Sequence, residues 1–421
     1  MIIPSIDLMQ GKAVQLQQGR DLILENDQPV LLAEEFTRFG EIAVIDLDAA
    51  LGKGENEDVI RKICAKAECR VGGGIRTIEK AVNILSWGAE KIIIGTQVFM
   101  DGQLNHAFLK ALKTTVGKER IIVALDTFRG EILTKGWREK TGLHIESVLP
   151  YLEPYASEFL CTCVEKEGML QGGDITSLEP LRKITDVEIT AAGGISTAEE
   201  IAAFSAGGFN VQLGMTLYSG KISLPEAFMA TLDWNKGLLP TITQDDSRQV
   251  LMLAYSSRES LSRTFETAKV WYFSRSRSKL WMKGETSGNI QNFMRIRRDC
   301  DGDALLITAE PKGPACHTGR YSCFGGKDFS LNELHKVIKN RMENPRPGSY
   351  TVQLGGSLLA EKIMEEAQEL VEAGNREDVV WETADLMYFV QVLLARKEIS
   401  PQEVLVELKR RRRSVKIAKK N

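Results

Sequence analysis

The sequence predicts a multidomain protein with an N-terminal (β/α)8 barrel, a middle β-rich α+β domain that binds metal ions, and a C-terminal all-α domain. Three observations predict this fold class. The chain has 421 residues, which is too long for one ordinary hydrophobic core. Residues 1–232 alternate short apolar runs with helical patterns and contain an internal repeat, whereas the apolar pattern after residue 326 is helical. We therefore predict domains over residues 1–232, 233–326 and 327–421.

Composition limits the class of protein. Apolar residues make up 43% of the chain, charged residues 26%, and the net charge is −3, as in ordinary globular proteins. So neutral a chain does not favour nucleic-acid binding, and no segment has the pattern of a signal peptide or membrane span. We therefore expect a cytoplasmic protein without nucleic-acid or membrane partners. The basic segment from Lys409 to Lys420 fits either a solvated helix end or attraction of phosphorylated ligands.

The internal repeat predicts the N-terminal fold. MIIPSID at residues 1–7 reappears as RIIVALD at residues 120–126, and GGIRTIEK from Gly73 reappears as GGISTAEE from Gly193. Continuous Val/Ile runs between helical segments are typical of buried parallel strands. Two similar halves of this length predict a TIM barrel, whose catalytic groups lie at the carboxyl ends of its strands.

Two aspartates occupy equivalent positions in the repeat. Asp7 and Asp126 end the first and fifth predicted strands, on opposite sides of the barrel mouth. Helix capping is the alternative for either residue alone. Their equivalence favours a pair of acid–base catalysts.

Glycine loops follow other strands in both halves. Backbone N–H groups at a helix start bind phosphate, so paired loops predict two phosphate sites for one bis-phosphorylated substrate. The predicted phosphate-binding residues are Gly73, Gly74, Arg76, Gly95 and Thr96 in the first half, and Gly193, Gly194, Gly214 and Met215 in the second.

These segments, with VIDLDAA, VGGGIRT, TAAGGIST and Gly136-Trp137, resemble the histidine-biosynthesis isomerase that acts on phosphoribosylformimino-aminoimidazole carboxamide ribotide. The resemblance covers about residues 1–232. It implies an Amadori rearrangement of an aminoaldose to an aminoketose, with Asp7 and Asp126 as base and acid and Thr162 assisting. A cyclase of the same pathway shares the fold, but GKAVQL and the Gly-Trp element favour the isomerase. The sequence departs from the family at Gln15, where arginine is common, and at Glu167 and Met169, where Asp-Gly-Thr is usual.

The middle domain contains two sets of metal ligands within a short segment. Asp299, Asp301 and Asp303 offer hard oxygen ligands suited to Mg²⁺. Cys300, Cys316 and Cys323 offer thiolates suited to Zn²⁺, which activates water for hydrolysis. An aspartate-rich turn with buried cysteines is the alternative.

SRSRSKLWMKGETSG, RRDCDGDALL and CHTGRYSCF resemble phosphoribosyl-AMP cyclohydrolase, which opens an adenine ring with water. The resemblance implies that the three cysteines bind zinc with ligands from two subunits, which implies a homodimer through this domain. It also implies magnesium at the three aspartates and His317 as the general base. The basic residues of this region suit binding of a phosphate and a flat base. An exposed basic hairpin is the alternative. The residues are Arg275, Arg277, Lys279 and Lys283.

Five acidic residues fall on two predicted C-terminal helices: Glu365, Glu366, Glu369, Glu382 and Asp385. Solvated helix faces are the alternative, but the second helix is otherwise almost wholly apolar, and carboxylates there are costly without a cation. The EExxE and ExxD pattern resembles all-α nucleoside triphosphate pyrophosphatases, and RMENPRPGSYT resembles the phosphoribosyl-ATP branch. The resemblance implies a Mg²⁺ site for a polyphosphate. Phe389 stands where that branch often has histidine.

The three resemblances predict a trifunctional enzyme whose substrates are phosphorylated nucleotides. It would release pyrophosphate from phosphoribosyl-ATP, open the adenine ring of phosphoribosyl-AMP, and isomerise the product. One alternative is a bifunctional cyclohydrolase and pyrophosphatase with a cyclase-like or catalytically weakened barrel. Another alternative is a regulatory barrel that binds phosphate without turnover. The aspartate pair argues against it, because phosphate binding requires neither carboxylate.

Overall fold

The computed structural model describes residues 1–17, 19, 21–345 and 348–413. The end of the basic segment, from residue 414, lies outside the described residues. A closed parallel barrel, a β-rich region and a helical region follow one another along the chain, which confirms the predicted fold class. Within the described ranges, no helix is both long and apolar enough to cross a membrane.

The described residues of the N-terminal region form fourteen strands and ten α-helices. The strands are β1 (Ile2–Met9), β2 (Lys12–Gln17), β3 (Asp21–Asn26), β4 (Ile42–Asp46), β5 (Cys69–Gly72), β6 (Lys91–Ile94), β7 (Phe99–Met100), β8 (Gln103–Leu104), β9 (Ile121–Phe128), β10 (Glu131–Thr134), β11 (Glu139–His144), β12 (Glu158–Cys163), β13 (Glu188–Ala192) and β14 (Asn210–Leu213). The helices are α1 (Pro29–Phe36), α2 (Leu47–Leu51), α3 (Glu57–Lys66), α4 (Ile78–Ser86), α5 (His106–Val116), α6 (Ile145–Leu152), α7 (Ile175–Leu178), α8 (Ala198–Ala206), α9 (Met215–Tyr218) and α10 (Leu224–Ala230).

Eight parallel strands close the barrel in the order β1, β4, β5, β6, β9, β12, β13, β14. Closure is complete because β6 pairs with β9 and β14 pairs with β1. The Val/Ile runs form these strands because both faces of each are buried, against helices outside and against facing strands inside. Inside, a small apolar cluster that includes Ile93, Leu160 and Ala192 forms the floor of the barrel cavity.

The internal repeat is visible in the structure. Strands β1 and β9 hold the first and fifth places in the barrel, and their bounds match the repeat, Ile2–Met9 against Ile121–Phe128. Each strand continues into an antiparallel hairpin, β2–β3 after β1 and β10–β11 after β9. The aspartates of the repeat therefore lie on opposite strands of one barrel.

The middle region forms a mixed four-stranded sheet in the order β16, β15, β20, β19, with a separate β17–β18 hairpin and one helix. Its elements are β15 (Leu239–Gln244), β16 (Val250–Ser256), β17 (Trp271–Ser274), β18 (Lys279–Met282), β19 (Gln291–Arg298), β20 (Leu305–Pro311) and α11 (Arg258–Thr267). It packs on the barrel through aromatic rings, with Phe39 5.2 Å from Phe265 and 6.4 Å from Phe293 between centroids. Phe39 precedes β4, so the middle region covers the amino-terminal ends of the barrel strands, away from the mouth.

The C-terminal region is helical: α12 (Leu331–Glu343), α13 (Tyr350–Gln353), α14 (Gly356–Glu372), α15 (Arg376–Arg396) and α16 (Pro401–Arg413). Its small core contains Ile338, Leu354, Leu359 and Val392. Phe389 joins this core and packs against the rings of Tyr350 and Tyr388. The phenylalanine that replaces histidine at this position therefore fills apolar space.

Candidate active sites

The barrel mouth holds a cavity of about 280 Å³ at the carboxyl ends of the strands. All twelve barrel residues predicted to be catalytic or phosphate-binding line it: Asp7, Gly73, Gly74, Arg76, Gly95, Thr96, Asp126, Thr162, Gly193, Gly194, Gly214 and Met215. The structure thus brings both aspartates and both sets of glycine loops to one space.

Asp7 projects into this cavity from β1. The hydroxyl of Ser5 donates a hydrogen bond to Asp7 Oδ1 over 3.0 Å. Burial raises the pKa of Asp7 to about 6, against which the Ser5 bond acts. The carboxyl is therefore mostly ionised near neutral pH and basic enough to accept a proton.

Asp126 faces the cavity from β9 and is held by two donors. Thr162 on β12 lies directly opposite it in the parallel register, and both the Thr162 and the Trp137 side chains hydrogen-bond to its carboxylate. Burial raises the pKa of Asp126, and the two hydrogen bonds act in the other direction. The donors fix the orientation of a carboxyl group that can hold or release a proton.

The two hairpins of the repeat meet over the mouth. Gly19 lies between β2 and β3, and Trp137 lies between β10 and β11. A Cβ atom added at Gly19 would lie 2.7 Å from the Trp137 ring, so only glycine allows this contact. The tips of both hairpins line the cavity, and the Trp137 side chain hydrogen-bonds to Asp126.

Glu167 is a third carboxyl group in the cavity, and the sequence indicated it only as a departure from the family pattern. Burial, with smaller contributions from Asp7 and Asp126, raises the pKa of Glu167 to about 8. The side chain therefore carries a proton at neutral pH. Its position in the loop after the sixth barrel strand, where catalytic groups collect, was the signal that could have identified it.

The glycine loops of the two halves share one conformation. Gly73 and Gly193 both have φ of +97°, and Gly74 and Gly194 follow with +65° and +77°. The next pair, Gly95 and Gly214, have φ of −119° and −115°. The positive φ of the first two glycines in each loop turns the backbone sharply at the mouth, as a phosphate-binding loop requires.

The first glycine loop of each half leads from a strand into a helix, as predicted: α4 and α8 begin four residues after Gly74 and Gly194, at Ile78 and Ala198. The side chains of Thr77 and Thr197 cap these helices by accepting an N–H from the first turn. Helix-start donors are thus partly occupied, and the turn itself must supply the remaining donors.

Arg76 lies at the exposed rim of the cavity. Its guanidinium donates to the carbonyl oxygens of Ala49, over 3.1 Å, and of Ala50, over 2.9 Å. These bonds anchor the side chain to α2, so its role as a phosphate ligand stays a prediction.

The middle region brings two of the three predicted thiols together. The thiols of Cys316 and Cys323 hydrogen-bond to each other. A hydrogen bond from Thr318, 3.0 Å from Cys316 Sγ, lowers the pKa of Cys316, whereas burial and the neighbouring thiol raise the pKa of Cys323. Two thiols in contact fit a soft metal ion.

Cys300 does not join this pair within one chain. No group of three potential metal ligands in the described part of the chain includes a cysteine, and Cys300 Sγ instead lies 4.0 Å from Asp301 Oδ1. His317 is exposed beside Cys316. Ligands from two subunits therefore stay a prediction, with which this separation is consistent.

The carboxylates of Asp299, Asp301 and Asp303 have oxygens within 4.8 Å of one another. Backbone N–H groups of Gly302 and Ala304 donate to Asp299, and Lys236 Nζ lies 3.2 Å from Asp303 Oδ2. Three adjacent oxygen donors fit a hard cation.

The basic residues of the middle region separate into two environments. Arg275 stacks 3.7 Å above the ring of Tyr255, and Arg277 and Lys279 are also exposed. Lys283 is buried, with Nζ donating to the Ala315 carbonyl over 2.6 Å. Lys283 therefore differs from the other three basic residues, because its ammonium bonds to the residue before Cys316; a role of these residues in binding a phosphate stays a prediction.

Four of the five predicted C-terminal carboxylates come together. Oxygens of Glu366, Glu382 and Asp385 lie within 4.8 Å of one another, and Glu369 hydrogen-bonds to Glu382. Burial and then repulsion between these carboxylates raise the pKa of Glu366 and of Glu382. A divalent cation would relieve this repulsion, so the donor set fits Mg²⁺. Glu365 instead pairs with Lys362, 2.6 Å away on the same helix.

The fold and these clusters indicate a multidomain enzyme with separate candidate sites for acid–base and metal-dependent chemistry. The chain matches three family models: histidine biosynthesis protein over residues 1–223, phosphoribosyl-AMP cyclohydrolase over 252–325, and phosphoribosyl-ATP pyrophosphohydrolase over 331–412. It belongs to the histidine biosynthesis protein family, and it contains domains for an isomerase, a cyclohydrolase and a pyrophosphohydrolase step. The two hydrolytic families are generally metal-dependent. The predicted domain borders stay predictions.

Relatives match in two groups. The histidine biosynthesis bifunctional protein HisIE of Pyrococcus furiosus is 46% identical over 206 residues, which are 45% of this chain and 99% of that protein. The protein of the same name from Bacillus subtilis is 46% identical over 191 residues, 42% of this chain and 91% of its own. A phosphoribosyl imidazole-4-carboxamide isomerase of Methanocaldococcus jannaschii is 36% identical over 234 residues, 54% of this chain and 97% of its own.

Proposed function

We propose that this chain is a trifunctional enzyme that catalyses three successive steps of histidine biosynthesis. The C-terminal domain releases pyrophosphate from phosphoribosyl-ATP, the middle domain opens the adenine ring of phosphoribosyl-AMP, and the barrel isomerises the formimino-aminoimidazole carboxamide ribotide. The observation that carries the third activity is the barrel cavity, which holds Asp7 and Asp126 between two glycine-loop sets of matching conformation.

The barrel chemistry needs one proton donor and one proton acceptor. In an Amadori rearrangement, an acid protonates the furanose ring oxygen as the ring opens, and a base removes the proton from C2 of the sugar. Asp126, held by Thr162 and Trp137, supplies the acid, and Asp7, with a pKa of about 6, supplies the base. The glycine loops hold the phosphates at the two ends of the substrate, which fixes the sugar between the carboxyl groups.

The cyclohydrolase site is assembled from two subunits of a homodimer. Cys316 and Cys323 of one chain and Cys300 of the other would hold Zn²⁺, and Asp299, Asp301 and Asp303 would hold Mg²⁺. When bound, zinc would supply Lewis-acid activation of water for attack on the adenine ring. His317, exposed beside Cys316, would act as the general base.

The pyrophosphohydrolase site uses Glu366, Glu382 and Asp385, with Glu369 beside them, to hold Mg²⁺ against a polyphosphate. When bound, Mg²⁺ would supply positive charge to neutralise the polyphosphate. The carboxylates lie on the packed helices α14 and α15, which fixes their spacing.

One experiment tests the three assignments together. Phosphoribosyl-ATP and Mg²⁺ are supplied to the wild-type chain and to three variants, and every intermediate is identified by mass spectrometry and chromatography. Glu382→Gln should leave phosphoribosyl-ATP, Cys316→Ser should accumulate phosphoribosyl-AMP, and Asp7→Asn should accumulate the ring-opened formimino compound. If the wild-type chain itself stops at the ring-opened compound, the barrel is not an isomerase, and a bifunctional enzyme with a cyclase-like or non-catalytic barrel becomes the better description.

A further inference from the structure

Lys283 is the only buried lysine in the described part of the chain, with 8% of its surface exposed. It follows β18, and its backbone N–H donates to the carbonyl of Val270 over 3.1 Å. Burying a lysine is costly unless its ammonium meets a compensating charge or acceptor. The surroundings of Lys283 should therefore explain its position.

The ammonium of Lys283 bonds to the turn that carries one of the paired thiols. Nζ donates to the carbonyl oxygen of Ala315, the residue before Cys316, over 2.6 Å. The same turn is closed by the backbone N–H of Ala315, which donates to the carbonyl of Tyr321, and the backbone N–H of Cys323 donates to the carbonyl of Leu251 on β16. Lys283 thus connects the β17–β18 hairpin to the segment that presents both thiols.

The charge of Lys283 also acts on these thiols. Burial lowers the pKa of Lys283, and the neighbouring Cys323 and Cys316 act in the opposite direction. Attraction to Lys283 likewise works against the burial that raises the pKa of Cys323. The ring of Trp281, 5.6 Å from Nζ, covers another side of the ammonium. No acidic side chain forms an ion pair with Lys283 among the residues described here.

The net charge of the proposed zinc site accounts for the buried ammonium. A zinc ion with three thiolate ligands carries a net charge of about −1, which a nearby cation stabilises. The ammonium of Lys283, fixed to the residue before Cys316, supplies that cation.

We propose that Lys283 is a positioning residue of the zinc site, whose buried ammonium is the counter-charge of the Cys316 and Cys323 thiolates and fixes their turn through Ala315. This inference rests on the proposed zinc site. Outer groups around a metal typically change its affinity by about 10–100-fold. We expect a loss in that range when the charge of Lys283 is removed.

The test measures zinc affinity of the full-length chain by competition with a chromophoric chelator. Lys283→Arg keeps the charge and should stay near wild type. Lys283→Gln keeps a donor for Ala315 without the charge, and Lys283→Met keeps neither, so both should bind zinc about 10–100-fold more weakly. Lys312→Gln removes an exposed lysine that pairs with Glu310 on the same domain and should leave zinc affinity unchanged. Circular dichroism and isomerase kinetics confirm folding of each variant.

The outcomes separate this inference from the site on which it rests. If Lys283→Gln binds zinc like the wild type while Lys283→Met does not, the hydrogen bond and not the charge matters, and the proposal is overturned. Equal weakening by Lys283→Arg overturns it as well. If the wild-type chain binds no zinc that Cys316→Ser removes, the zinc site itself is wrong, whatever Lys283 does.

Discussion

The barrel site and the thiol site differ in how much of each is present in one chain. In the barrel, strands from both halves of the repeat close on one cavity that contains Asp7 and Asp126. In the middle domain, Cys316 and Cys323 meet, but Cys300 lies on a separate loop. That loop is attached to the end of the barrel, because the carbonyl of Gly302 accepts a hydrogen bond from the N–H of Asp233 over 2.9 Å.

The difference shows that a closed sheet can bring distant residues of one chain together where an open sheet does not. Closure of the barrel brings residues 119 positions apart in sequence to opposite sides of one space, so the site needs no partner. The open four-stranded sheet of the middle domain does not bring Cys300 into a described ligand group with Cys316 and Cys323 within one chain. Isomerisation should therefore be a property of one chain and ring opening a property of two.

The largest expected effect is on the barrel carboxylates. Asp7→Asn and Asp126→Asn should each lower kcat/KM of the isomerase by about 10²–10⁴-fold, because each removes a group that transfers a proton. Pyrophosphate release and ring opening, assayed in the same preparations, should be unchanged. Mixing the two variants should restore nothing, since each cavity belongs to one chain. Recovery in the mixture would contradict the single-chain site.

Mixing cysteine variants should give the opposite result. Cys300→Ser and Cys316→Ser should each abolish ring opening and zinc retention, since a hydroxyl binds zinc poorly. Co-expressed in equal amounts, they should recover about one quarter of wild-type activity, because half of the symmetric dimers are mixed and each has one intact site of two. Activity and zinc content of the purified mixture provide the measurement. Absence of recovery, with dimers present, would place all three thiols in one chain.

Much of this comparison could be predicted from sequence. Strand type, the repeat and the placement of Asp7 and Asp126 follow from local pattern, because barrel topology converts equal spacing into opposite positions. The glycine loops were predictable for the same reason, since positive φ selects glycine.

Side-chain partners chosen by packing were not predictable. Glu365 and Glu366 are neighbours in sequence, yet Glu365 pairs with Lys362 while Glu366 is buried in the cluster, because helix rotation decides which of the two faces α15. The inward position of Lys283 and the contact between Gly19 and Trp137 also depend on loop geometry. Such contacts join distant segments and leave no periodic signal.

A smaller effect is expected in the phosphate loops of the barrel. Gly74→Ala and Gly194→Ala should each raise the isomerase KM by about 10–100-fold, the loss expected for hydrogen bonds to a charged group. An added Cβ would lie 2.6 Å from Ala49 or 2.7 Å from the Gly172 carbonyl, so the loop must shift. Arg76→Ala should be milder, because the loop donors remain. Steady-state kinetics give the comparison, with ring opening as the control for folding. If only one of the two loops matters in a folded chain, a substrate with one phosphate replaces the bis-phosphorylated substrate.

The smallest effect is expected on the pH dependence of the stability of the folded chain, through Glu167 in the barrel cavity. Burial and the neighbouring aspartates raise the pKa of Glu167 from its usual 4.5 to about 8, so between these values the folded chain holds a proton that the unfolded chain releases. Stability is therefore lost as pH rises through this window, and the loss is complete above about pH 8. Glu167→Gln removes the dependence, so its apparent Tm relative to wild type should rise by several degrees from pH 5 to pH 8. The matched variant Glu199→Gln, at an exposed position in the first turn of α8, should show no such trend. Thermal unfolding at both pH values measures the difference, and parallel pH profiles for the two variants would mean that Glu167 is ionised in the cavity at neutral pH.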